Sequence, residues 1–118
     1  MIVMTLNCRG LASKHKKLAI CRLVADQSVD VLFLEETMGD GVLFAGNMEL
    51  LLPRWNFCSV DAKGKLGGLL VGWRNCFLLF LNSWAMDSGL YVALYLTELQ
   101  MEICFVNIYG PYVEREGL

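Results

Sequence analysis

The stretch Val29-Asp30-Val31-Leu32-Phe33-Leu34-Glu35-Glu36-Thr37 sets the reading of the fold. Its apolar run offers side chains to both faces, as expected of a central strand covered on both sides. It closes on two carboxylates, at a strand end, where a scaffold presents polar groups to a ligand. Upstream, Ile2 to Asn7 reads as a first strand and Cys8 to Ala12 as a loop containing Gly10. Ser13 is placed to cap a helix running to about Gln27. In that helix Leu18, Cys21, Val24 and Ala25 recur at helical spacing, while Lys16, Lys17 and Arg22 fall on other faces. Strand, helix and strand at this spacing predict that the first two strands are parallel neighbours.

Downstream the pattern turns to strands. Met38 to Arg54 is ambiguous: Val42 to Leu52 reads as a possible helix, but Gly39, Gly41, Gly46 and Pro53 punctuate it. Trp55 to Val60, Gly67 to Trp73 and Phe77 to Leu81 read as strands, with a polar turn at Asp61 to Lys65 and another at Asn75. Leu90 to Leu96 and Met101 to Tyr109 read as a hairpin joined by Thr97-Glu98-Leu99-Gln100. The tail from Val113 is charged and reads as frayed. One clear helix followed mostly by strands predicts an α+β chain with a sandwich-like pair of sheets, in one domain over residues 1–118.

Composition narrows the function classes. Hydrophobic residues make up 56% of the 118 and charged ones 19%, so either the strands are deeply buried or an apolar face is left open. The most apolar region, Gly67 to Met86, is divided by Arg74 and Asn75, too early for a membrane-spanning helix. Met1 to Leu6 is too short for a secretory signal, which points to an intracellular protein of nucleus or cytoplasm. A net charge of −2 argues against strong nonspecific binding to nucleic acid, which rests on Lys and Arg. The basic run Lys14-His15-Lys16-Lys17 reads as the solvated first turn of the helix. Five cysteines without a Cys-x-x-Cys pair read as free thiols, and a single histidine leaves no zinc pattern.

Three strand ends carry chemistry. Asn7 closes the first, and its amide can donate to a phosphate oxygen or fix a metal-bound water. Read alone, it is a turn-forming Asn at a strand exit, the commoner role for a lone Asn. Glu35-Glu36-Thr37 closes the second, and magnesium takes one or two such carboxylates. Strand alternation sends Glu35 and Glu36 to opposite faces, and read alone they are ordinary solvated carboxylates. Tyr109, in Asn107-Ile108-Tyr109-Gly110-Pro111, closes the last strand. It is either a phenol donor or an interfacial core tyrosine. Asn107 shares its face and is a candidate to support the same site. Lys63 and Lys65, before the Gly67-Gly68 pair, are placed to touch a nucleic-acid backbone, though exposed lysines on a turn need no such reason.

In this order the three pieces resemble the first half of the endonuclease/exonuclease/phosphatase family. The nearest flavour is the endonuclease of LINE-type retrotransposons, some of which open with a similar Asn-Cys-Arg-Gly-Leu, here Asn7 to Leu11. The resemblance covers residues 1–118 and implies about half of a four-layer α/β sandwich. It implies a Mg2+-dependent phosphodiesterase acting on DNA, with Glu36 as metal ligand, Asn7 near metal and phosphate, and Tyr109 hydrogen-bonded to the scissile phosphate. Glu35 stands where the family has Gln, which adds negative charge beside the site.

The family's water-activating and leaving-group residues come from a later Asp-x-Asn, a later Asp and a final Asp-His pair. None of these follows Tyr109 here, and His15 lies at the start of the first helix. Three readings stay open: a truncated nuclease inactive by itself, a non-catalytic retrotransposon remnant, or a small interaction module. A half-sandwich also leaves a sheet face uncovered, which predicts self-association through that face.

Overall fold

The computed structural model describes residues 1–62 and 67–109. The chain runs β1 (Val3–Asn7), α1 (Lys14–Asp26), β2 (Val31–Glu35), α2 (Gly41–Leu51), β3 (Trp55–Val60), β4 (Leu69–Arg74), β5 (Leu78–Met86), β6 (Gly89–Leu96) and β7 (Met101–Ile108). The first sheet has the order β1-β2-β4-β3 and the second β5-β6-β7. β1 and β2 are parallel, in register from Val3 opposite Val31 to Asn7 opposite Glu35. The other pairs are antiparallel.

Side-chain alternation in β2 explains the layering. Leu32 and Leu34 point to one face and pack with Ile20 and Val24 of α1 and Phe44 and Met48 of α2. Val31 and Phe33 point to the other and pack with Leu90, Val92 and Leu94 of the second sheet. The result is three layers: helices, first sheet, second sheet. A strand sandwiched this way must be apolar on both faces, which is the pattern seen in its sequence.

The two helices start where short polar side chains can cap them. Ser13 accepts a hydrogen bond from the Lys16 amide, and Asp40 from the Leu43 amide. The second helix settles the ambiguous segment. Gly41 sits at its buried start, where a Cβ would come within 2.6 Å of Ser59, so glycine there permits close approach to β3.

Two boundaries differ from the sequence reading. Two helices lie among the described residues, the second in the segment that reads as ambiguous in sequence, rather than one clear helix. β5 runs on to Met86 instead of ending near Leu81, because a bulge between Phe80 and Asn82 carries the strand through its polar residues. The outer face of the second sheet has no covering layer among the described residues. Leu79, Trp84, Met86 and Ile108 are exposed there, and Trp84 stacks on Tyr91. No described helix is long and apolar enough to cross a membrane.

Candidate functional site

Parallel pairing of β1 and β2 puts their C-terminal ends at the same edge of the first sheet. β7 ends beneath the same edge: the Asn107 amide nitrogen donates to the carbonyls of Leu34 and Leu70, at 3.2 and 3.1 Å. Asn7, Glu35, Glu36, Asn107 and Tyr109 therefore share one end of the sandwich. Lys63 and Lys65 lie outside the described residues.

The backbone there is unusually twisted. Arg9 (φ +48°) and Gly10 (φ +97°) turn the exit of β1, Glu36 (φ +53°) and Met38 (φ +60°) the exit of β2, and Gly68 (φ +87°) the entry to β4. A non-glycine residue with positive φ carries strain, and such residues gather at functional sites. The turns are locked together by main-chain bonds. The Gly10 amide donates to the Glu36 carbonyl at 2.7 Å, Leu11 to Thr37 at 2.9 Å, and Met38 to Gly67 at 2.6 Å. Gly67 allows the last approach, since a Cβ there would lie 2.9 Å from the Glu36 Cα.

Asn7 is exposed, and its Oδ1 accepts the Arg9 amide at 3.1 Å. That bond orients the side chain so that its Nδ2 protons are the outward-facing donors. Met4 and Leu6 pack toward the helices, so Asn7 points to the other side of the sheet, as does its register partner Glu35. Alternation holds as far as Glu35 and stops at Glu36, whose φ is no longer extended. The two carboxylates remain coupled: burial, then the Glu36 charge, raises the Glu35 carboxyl above its usual range. No ion pair reaches either carboxylate among the described residues.

Tyr109 is half-buried against the core between the sheets, and burial raises its phenol, which stays protonated and able to donate. Asn107 is 1% exposed and lies below the surface with both amide protons directed to backbone, so it does not face a nucleic-acid strand.

Two contributors were not singled out from the sequence. Lys16 reaches back from α1 to donate to the carbonyls of Cys8, at 2.7 Å, and Arg9, at 3.4 Å. It braces the turn that follows Asn7. Its place in the first helical turn, just past a short loop, was the available signal, but the same position also suits a solvated lysine. Cys8 is buried beside the carboxylates. Burial pushes its thiol up to about 11, with Lys16 opposing and Glu35 and Glu36 adding to the rise. Burial therefore favours the neutral thiol.

The oxygens open at this end are the exposed Glu36 carboxylate and the partly buried Glu35 carboxylate, since the Asn7 Oδ1 is taken by the Arg9 amide. Such a set suits a hard cation that keeps several waters, as Mg2+ does. No group of three or more His, Cys, Asp or Glu side chains suited to a metal ion lies among the described residues. Two carboxylates fall short of such a group and would supply at most part of a magnesium shell.

By sequence, no protein-family model and no curated protein matches this chain. By structure it is similar to an endonuclease/exonuclease/phosphatase family protein from Bacteroides thetaiotaomicron (TM-score 0.68, 13% identity, 88% of this chain and 48% of that one). It is similar also to a humanized TDP2 from D. rerio (TM-score 0.66, 14% identity, 92% of this chain and 47% of that one). A third similar structure is the AP endonuclease LMAP from Leishmania major (TM-score 0.63, 21% identity, 91% of this chain and 39% of that one). At these identities the likeness is one of fold. The fold is α+β, a partial version of the endonuclease/exonuclease/phosphatase architecture, and the chain spans about half or less of the structures it matches.

Proposed function

We propose that this end of the sandwich is the metal- and phosphate-binding part of a nucleic-acid phosphodiesterase site of the endonuclease/exonuclease/phosphatase kind. The observation that carries the reading is Glu36: a carboxylate without an ion pair among the described residues, held at φ +53° next to Glu35, the register partner of Asn7, at the same end as Tyr109. Glu36, supported by Glu35, holds Mg2+, which when bound neutralises charge on a phosphate. Asn7 Nδ2 and the Tyr109 hydroxyl donate to non-bridging phosphate oxygens. The substrate class is DNA, in keeping with a similar structure named as an AP endonuclease and with the LINE-type likeness of Asn7 to Leu11.

These residues bind and orient, and none of them is placed to activate water. General-base catalysis is worth about 100- to 10,000-fold. The chain by itself therefore binds Mg2+ and a phosphodiester with little cleavage. Calorimetric titration with Mg2+, alone and with a short abasic duplex, tests this. The expected result is Mg2+ binding that Glu36→Gln abolishes, without turnover of the duplex. Equal Mg2+ binding by Glu36→Gln overturns the site. Robust cleavage by the wild-type chain overturns the division between binding and water activation.

A second surface belongs to this reading. The outer face of the second sheet carries Leu79, Trp84, Met86, Val106 and Ile108 beside Asn82, Tyr91 and Tyr95, and Glu102 is the one charged side chain on it among the described strand residues. Pairing of two identical faces through it brings few like charges together, so a second copy of the chain is its occupant. Mass measured by light scattering should rise with concentration, and Trp84→Lys should return it to the monomer. A wild-type chain that stays monomeric at all concentrations, without binding a hydrophobic dye, overturns this.

A further inference from the structure

We infer that Asn107 is a positioning residue that fixes Tyr109 relative to Glu36 by locking β7 onto the ends of β2 and β4. Three strands that carry site groups meet at its side chain. Leu34, whose carbonyl accepts one amide proton, precedes Glu35 and Glu36. Leu70, whose carbonyl accepts the other, follows Gly67 and Gly68, which pack against Glu36 and Thr37. Tyr109 lies two residues beyond Asn107 on its own strand. The bonds join residues 73 and 37 positions apart, from one sheet to the other.

Packing does not explain this choice of residue. Its ladder partner is Leu90, and the core between the sheets is built of apolar residues such as Val31, Leu69, Val71 and Val92, whose chemistry a leucine would fit. The Asn107 Oδ1 is buried without a hydrogen-bond partner among the described residues, which costs free energy instead of adding to stability. Apolar contact between two sheets is also non-directional and tolerates sliding. A planar amide whose two protons meet carbonyls of two different strands does not. The amide thus contributes register between the sheets, at the end where register sets the distance from the phenol to the carboxylate.

The test uses the full chain labelled with fluorotyrosine, with the Tyr109 fluorine resonance assigned by Tyr109→Phe. Two signals are followed: the pH titration of Tyr109, and its paramagnetic broadening by Mn2+. In the wild type Tyr109 titrates above an ordinary tyrosine, and Mn2+ broadens its line in a manner abolished by Glu36→Gln. Asn107→Leu should fold and melt cooperatively and still bind Mn2+. Its Tyr109 should titrate close to an ordinary tyrosine, and the Mn2+ broadening should be lost. Asn107→Ser, which keeps one donor, should recover part of both signals, and it is the variant read if Asn107→Leu does not fold. A folded Asn107 variant whose Tyr109 titrates and broadens as in the wild type overturns the assignment. The Mn2+ arm rests on the proposed metal site. If wild-type Tyr109 shows no broadening, that metal reading fails, and the titration alone decides the role of Asn107.

Discussion

The two ends of the first sheet carry similar polar residues and treat them in opposite ways. At the end where β1 begins, Asp30 and Arg74 are paired with each other and with backbone, although the Arg74 Nε makes no hydrogen bond among the described residues. Asp30 accepts the Ile2 amide at 2.8 Å and lies 3.6 Å from the Arg74 Nε, an ion pair too long for a hydrogen bond. Arg74 also donates to the Val29 carbonyl at 3.1 Å and lies over the Trp55 ring. At the end where β1 and β2 finish, Glu35 and Glu36 sit side by side with no cation paired to them among the described residues, Glu36 on backbone turned to positive φ. One end is settled within the chain. The other gathers two neighbouring carboxylates with no paired cation among the described residues; positive φ does not distinguish the ends, since Ser28 (φ +51°) and Arg54 (φ +71°) lie at the first.

The comparison predicts that the site end is the rigid one despite its strain. Gly68→Val tests this most severely. Its φ is +87°, and a Cβ would lie 2.6 Å from the Thr37 Oγ1 and 3.1 Å from the Val60 carbonyl oxygen. Left-handed strain of about 1–2 kcal/mol and overpacking of similar size sum to a loss of about 3 kcal/mol, read as a lower urea midpoint. A loss well under 1 kcal/mol would mean that these turns yield and that nothing is held in place there. At the opposite end, Arg74→Ala should cost less, about 1–2 kcal/mol, because it strips a partner from Asp30 and a donor from the Val29 carbonyl. If it costs more than Gly68→Val, the contrast between the ends is reversed.

Much of this contrast was legible in the sequence. The apolar run ending in Glu35-Glu36 marked β2 because a strand covered on both faces has no other pattern available. Ser13 and the spacing of Leu18 to Ala25 marked α1 closely, since capping and periodicity are local signals. Local signals failed where tertiary contacts decide. Gly39, Gly41 and Gly46 weakened α2, whose start is tolerated because Gly41 fits against Ser59. The strand read from Phe77 to Leu81 runs on through Asn82 and Ser83, because a bulge and pairing with β6 carry them through. At the site, the residue types at the strand ends were visible. The positive φ of Glu36, the brace from Lys16 and the burial of Asn107 were not, because each depends on partners distant in sequence or on backbone geometry.

Strain at Glu36 makes a prediction of opposite sign. Glu36→Gly relieves about 1–2 kcal/mol of left-handed backbone cost and returns about 0.4–1 kcal/mol to the unfolded chain's entropy. The net expectation is a gain of about 0.5–1 kcal/mol in thermal or urea unfolding, together with loss of Mg2+ binding. Stability gained while binding is lost would separate function from folding at one residue. A variant less stable than the wild type would show that φ +53° carries no strain in this setting.

The smallest expected effect concerns Glu35 and depends on pH. Its carboxyl is raised by burial and then by the Glu36 charge, so the folded chain holds that proton more tightly than the unfolded chain does. Stability then falls as pH rises from the ordinary carboxylate range through the raised folded value, because the folded state must accept an unfavourable charge that the unfolded state carries freely. This is the reverse of a salt-bridged carboxylate, whose stabilisation is lost on acidification. Glu35→Gln should therefore be slightly more stable than the wild type at neutral pH, and the difference should vanish below the ordinary carboxylate range. Because the group is partly exposed, solvent and salt screen the effect, so it should shrink at high ionic strength. Saturating Mg2+ should also shrink it, by neutralising the pair in the wild type. A Glu35→Gln chain that is less stable at neutral pH would place a favourable partner on this carboxylate and make the two ends of the sheet alike.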